Sequence, residues 1–495
     1  MNYNILKKIA YVYITLPLFL FSLLWLNIWS SIAYIVCLSV ALYFILRKEE
    51  ISSYSNDYLI SRKTYVGIVF LSFLWVFLSG IGGYWYQAGG FPVLGNIIPR
   101  DFSVRNAVYR DLINYSWPVY YPQQNLTLCY YFGFWLPPAL ITKFLKLFVT
   151  DDIFQIGLNI LALWTTLGIA IFLTLVLYIT KPKNKFCLVG TLLLPIFFSG
   201  LDIIGSFILN TYDSYHLEWW KLSMQYSSLT TLLFWCFNQA VIPWICGLLY
   251  FNERKIDHIG LLFVCAFFCS PFAGIGLSII VSIWLLYVFC IKIYNKDNIK
   301  KLITHIFSYQ NLAMLPFLLL LYCFFSSNTI VQTHKFSFTL WSVSDYLLFC
   351  FIEFLLYIIL IFKFFKNDII FISVVLSLLV LCCFDFEGNK DFSIRSSIPA
   401  ILLLMIYVAK YINSVKIVDY RTLILVILLF IGSITPLHEM RRGYNHFVQT
   451  KSIVHREDVF VTMGDKDFHA DPFFKQLIHN PQTKFFYQYF SKKLQ

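Results

Sequence analysis

Long apolar runs recur along this chain, joined by short connections rich in Lys and Arg. A run of roughly 17–25 apolar residues covers the hydrocarbon of a bilayer as a helix, and a helix satisfies its own backbone polar groups there. The pattern therefore predicts an all-α polytopic membrane protein with roughly 11 to 13 transmembrane helices. Composition agrees, because only 13% of residues are charged and 59% are hydrophobic, with a mean hydropathy of +0.71. A soluble domain carries about 25% charged residues. The net charge of +12 lies mainly in short loops beside the apolar runs. That distribution sets membrane orientation and gives no reason to expect a nucleic-acid partner.

In order, residues 9–26 and 29–46 read as a hairpin with both ends cytoplasmic, flanked by Lys7, Lys8, Arg47, Lys48, Arg62 and Lys63. The first helix reads as uncleaved. Residues 64–80 lead outward into the polar loop 81–130. Residues 131–148, interrupted by Pro137 and Pro138, read as a broken or interfacial helix on the outer side. Spans at 153–180, 186–204 and 229–251 follow, with a second external loop at 205–228. Residues 259–291 exceed one span and contain Ser270-Pro271, so two short helices are expected to meet there. Further spans are expected at 302–325, 346–362, 369–384, 396–412 and 422–437. Residues 1–437 thus form the membrane domain, and the polar residues 438–495 a small external segment.

This topology gathers three polar groups on one face: Asp101 to Asp111, His216 to Trp220, and Asp385 to Arg395. A single polar loop at a membrane boundary is an ordinary solvated turn. Three loops that each combine acids, bases and aromatic residues on one side argue for a site. Asp101 opens the helical pattern DFSVRNAVYRDL, with Arg105 at i+4 and with Arg110 and Asp111 about three turns on. The plain reading is an exposed ion pair. The functional one is a carboxylate that takes a proton from an acceptor hydroxyl, with arginines to grip phosphate. In HLEWW, His216 and Glu218 precede Trp219 and Trp220, whose rings are suited either to a sugar or to an interfacial belt. The His–Glu pair supplies too few ligands for a metal. In the third loop Lys390, Asp391 and Arg395 stand before a returning helix, and a cation at a helix start opposes the helix dipole. The cysteines, mostly inside apolar runs and without metal-ligand spacing, read as packing residues, and Asn125-Leu126-Thr127 reads as an incidental sequon.

The segments DFSVRNAVYRDLINYSWPV, HLEWWKLSMQYSSLTTLLFW and NKDFSIRSSIPAILLL, set in a chain with an early external acid, resemble the GT-C superfamily of integral membrane glycosyltransferases. The resemblance extends to about residue 410. It implies transfer of a sugar from a polyprenyl-phosphate donor to a glycan, lipid or protein acceptor at the periplasmic face of a bacterial inner membrane. By that analogy Asp101 is the catalytic acid, with Asp111 second. Arg105, Arg110, Lys390 and Arg395 are the donor-phosphate residues, and His216, Glu218, Trp219, Trp220 and Asp391 the acceptor or sugar residues. No cofactor is expected, with a divalent metal left open. The chain lacks the Asp-Glu pair of protein O-mannosyltransferases and the WWDYG signature of oligosaccharyltransferases, so those activities are not implied. Two rival classes are a polymerase or ligase of lipid-linked oligosaccharides and a transporter. Glu353, inside an apolar run, is the residue that separates the last, because transporters place ionisable groups near the bilayer midplane.

Overall fold

A computed structural model describes the chain except for residues 1, 48–58, 88–91, 94–95, 98–100, 150, 213–215, 222, 296–298, 329–335, 387–389, 416–418, 451–460, 465–476 and 495. Side chains at 92–93, 96–97, 101 and 449–450 are likewise outside the description.

The protein is mostly helical. Among the described residues seven helices are long and apolar enough to cross a membrane, or nine if each of two bent pairs is one span. The seven are Tyr3–Trp25, Ile28–Arg47, Ile153–Thr180, Leu229–Glu253, Pro271–Tyr294, Val343–Phe365 and Tyr420–Val448. The bent pairs are Lys185–Phe197 with Asp202–Leu209, at 43°, and Ile299–Leu312 with Leu315–Ser326, at 61°. Three shorter apolar helices, Ile256–Cys269, Ile369–Leu381 and Ile398–Ser414, bring the number of apolar helical elements close to the sequence expectation. Multi-pass membrane architecture follows from these helices.

Local chemistry explains several boundaries. Asn184, Ser228 and Asp419 each accept a backbone N–H from the first turn of the next helix. At the expected Ser270-Pro271 break, Ser270 is extended and its hydroxyl caps Ala273 N at 3.4 Å, while Pro271 opens the next helix. The two arms pack together as anticipated, but Pro271–Tyr294 has 24 residues and is a full-length helix, not a short one. Residues 131–148 yield only the short helix Leu136–Leu145, with Pro137 and Pro138 in its first turn, as a broken segment should.

Leu229–Glu253 is the central post, with 94% of its apolar window buried, whereas Ile28–Arg47 is 28% buried and lies at the rim. At Cys236 the central helix departs from helical geometry (φ −149°, ψ 47°). The helix Ile434–Thr450 runs through the expected domain boundary at 437/438 without interruption. Farther on, strand Leu477–His479 pairs antiparallel with Leu126–Leu128, which also pairs with Tyr120–Tyr121. The C-terminal residues are thus built into the first polar loop. A second hairpin pairs Phe336–Phe338 with Phe384–Phe386 and leads to the third polar segment.

Candidate functional site

The kink at Cys236 lies near a polar cluster built around Arg395. Arg395 stands on the short helix Asp391–Ser396 and bonds Asp391 at 2.5 Å. Its guanidinium lies within electrostatic reach of Tyr131, Cys236 and Tyr130. Arg105, buried on the helix Asp101–Asn114, is also within electrostatic reach of Tyr130 and covers the Phe102 ring at 5.6 Å. Phe102 in turn stacks on Phe237, one residue past the kink, at 5.9 Å. Tyr130 and Tyr131 pack ring to ring at 3.9 Å. Two arginines therefore lie near a tyrosine pair.

Beside them, Lys390 lies over the Trp219 ring at 5.5 Å. Burial pulls the Lys390 ammonium down to about 8, against the pull of Glu218 and Asp391. The Trp219 ring meets His216 edge-on at 4.9 Å, and His216 stacks on Trp235 at 5.3 Å. Behind His216 stands Glu439, bonded to its Nδ1 at 2.8 Å, to Trp235 Nε1 at 2.9 Å and to Arg442 at 2.5 Å. On the opposite edge, His216 Nε2 lies 3.9 Å from Glu218. Glu218 accepts from Gln225 at 3.0 Å, Ser228 N at 2.9 Å and Thr231 at 2.6 Å. Burial pushes its carboxyl up to about 7, while His216 and these donors pull the other way. Both carboxylates are fully engaged in positioning His216 and the start of the central helix.

The structure thus brings together Arg105, His216, Glu218, Trp219, Lys390, Asp391 and Arg395 from three segments far apart in sequence. It sets others apart. Trp220 turns away beneath the helix Asp202–Leu209 and donates to Glu353 at 2.9 Å. Gly205 meets that indole so closely that a Cβ would collide with it. Arg110 covers Phe154 at 3.8 Å. Asp111 is sealed in a separate cluster, accepting from Tyr121 at 2.6 Å and from Met463 N at 2.8 Å. Burial pushes its carboxyl up to about 6. Asp101 begins its helix as expected, but its side chain, like residue 387 of the third loop, lies outside the described residues.

Four neighbours of the cluster were missed in the sequence. Trp235 sits within an apolar run and gives no signal. Tyr130 and Tyr131 read as the edge of a broken helix. Glu439 is legible only as the i,i+3 partner of Arg442 in HEMRR. A fifth, Asp202, was absorbed into an expected span. Its carboxylate accepts from Ser199 at 3.0 Å and Thr435 at 2.7 Å and lies beside Glu353. Among the described residues no group of three His, Cys, Asp or Glu has the geometry to hold a metal ion.

Chemically, the cluster offers guanidinium and ammonium groups to an anion and aromatic faces to a flat or ring-shaped group. Of its described carboxylates, Asp391 is the open one, with 46% of its side chain exposed. Comparison with family models, with curated proteins and with solved structures gives no match.

Proposed function

We propose that this chain is a membrane glycosyltransferase that moves a sugar from a polyprenyl-phosphate donor to an acceptor hydroxyl at the periplasmic face of a bacterial inner membrane. The observation that carries the reading is that Arg395 and Arg105 both lie within electrostatic reach of Tyr130, with Lys390 over Trp219 beside them. Cations at the ends of apolar helices suit a phosphate at headgroup depth, and the rings suit a sugar. In the proposed step the acceptor oxygen attacks the anomeric carbon while the bond to the carrier phosphate breaks. The phosphate leaves with the bonding electron pair, and Arg395 and Lys390 meet its growing charge. The acceptor proton passes to the Asp101 carboxylate. A single displacement of this kind inverts the anomeric centre.

A second reading, transport, draws on Glu353. Its partner Asp202 lies across a helix–helix contact within the apolar elements, and Trp220 covers the pair. Incubating purified protein with labelled polyprenyl-phosphate sugars tests both. Enzyme-dependent transfer to an acceptor or to water supports the first reading. Absence of any turnover, together with proton-driven solute uptake into vesicles containing the protein, supports the second.

A further inference from the structure

Three thiols line up beneath the hairpin that leads to Lys390 and Arg395. Cys350, eight residues into the span Val343–Phe365, is fully buried. Cys382 and Cys383 come directly after the helix Ile369–Leu381; the first is buried and the second partly open. The Cys382 and Cys383 thiols both donate to Leu379 O, at 3.5 and 4.0 Å, and Cys350 on the neighbouring helix lies beside Cys382. The helices are clamped at this level. Tyr346, one turn before Cys350, donates to Leu379 O at 2.7 Å, three residues before Cys382. Tyr226 donates to Leu378 O at 2.6 Å, and Trp341 Nε1 to Cys382 O at 2.9 Å. The sulfur contact is therefore held by flanking bonds on both sides. A soft-metal site would need these thiols to enclose an ion, and among the described residues no such set exists.

We propose that Cys350 and Cys382 are a redox-linkable pair, with Cys383 as the entry thiol for an oxidant of the thiol–disulfide exchange class. The Cys383 thiolate attacks the oxidant disulfide, forming a mixed disulfide and releasing one oxidant thiolate. The Cys382 thiolate then attacks the Cys383 sulfur and expels the second. Cys350 displaces Cys383 from the strained vicinal bond and leaves the Cys350–Cys382 disulfide. Overall two thiols lose two protons and two electrons, and the oxidant disulfide becomes two thiols. The bond ties the span Val343–Phe365 to the end of Ile369–Leu381, at the base of the strand Phe384–Phe386. It fixes the root of the segment that carries Lys390 and Arg395.

The test treats the full-length protein in its membrane with oxidised glutathione, alkylates remaining thiols after denaturation, and maps non-reduced peptides by mass spectrometry. The expected result is a Cys350–Cys382 linked peptide, with two of the twelve thiols protected from alkylation. Cys383→Ser should slow linkage about tenfold without changing its end point, because access controls exchange. Full alkylation of Cys350 and Cys382 after oxidation overturns the pair, and so does linkage of either one to another cysteine only. An unchanged rate in Cys383→Ser overturns the entry role. The wild-type map decides the pair even where a variant fails to fold.

Discussion

The Arg395 cluster and the Glu353 cluster are both polar and both lie against apolar helices, yet they are built on opposite terms. Around Arg395, cations face aromatic rings and one half-open carboxylate. Around Glu353, a second carboxyl is in contact, and Trp220, Ser199 and Thr435 supply neutral donors. The Glu353 and Asp202 carboxyls are buried side by side among donors that the protein itself supplies. The Arg395 cluster keeps its cations beside rings and a carboxylate whose side chain is 46% exposed. On the proposed reading the substrate belongs at the first cluster, which opens at Asp391, and the second holds helices together.

Breaking the first cluster should have the largest effect. Arg395→Ala is expected to weaken binding of a polyprenyl phosphate about 100-fold, since charge-assisted hydrogen bonds contribute roughly 1.5–3 kcal/mol each. Arg395→Lys should fall between, having kept the charge and lost the planar fork. Titration of carrier lipid by native mass spectrometry reads this directly.

The second cluster should respond in stability instead of binding. Glu353→Leu leaves the Trp220 indole and Asp202 without their partner and should cost about 1–3 kcal/mol. Glu353→Gln keeps an acceptor for Trp220 and supplies a donor for Asp202, so it should cost less than about 1 kcal/mol. Thermal unfolding in detergent compares them. A strong loss of transfer in Glu353→Gln, with unchanged unfolding, would erase the distinction between the clusters.

Lys390 sharpens the comparison through pH. Its ammonium, held down to about 8 by burial, is charged below that value and neutral above it. Carrier binding should therefore decline as pH rises through about 8, and Lys390→Arg should remove the decline because guanidinium stays charged. The smallest effect belongs to Asp111. Its folded carboxyl titrates near 6, above the ordinary value of about 4, so the folded state binds the extra proton between them. Stability should fall as pH rises from about 4 to about 6 and level off above. Asp111→Asn should flatten that window in thermal melts while leaving carrier binding intact.

Much of this architecture was legible because apolar length and proline position act locally. Ser270-Pro271 announces its break, since proline cannot donate and the serine caps the helix that Pro271 opens. Pro137 and Pro138 shorten their helix for the same reason. The gathering of Arg105, Trp219 and Arg395 was legible only through topology, from loop charges. The remainder depends on pairing across hundreds of residues. Glu439 and His216 are 223 residues apart, and strand Leu477–His479 joins a loop some 350 residues earlier, with Asn125 to Asn480 separated by 355. The Cys236 kink lacks a proline at its own position, although Pro243 lies farther along the same helix. Glu218 reads as an exposed loop acid, yet it is buried by donors from later in the chain.

The most direct test of the central claim is photo-crosslinking with a polyprenyl phosphate that carries a photoreactive group beside its phosphate. If the Arg395 cluster receives the carrier phosphate, peptides containing Tyr130–Tyr131 and Lys390–Arg395 are labelled, unlabelled polyprenyl phosphate competes, and Arg395→Ala loses most of the signal. Competable labelling confined to peptides around Asp202 or Glu353, with none at Lys390–Arg395, would contradict it.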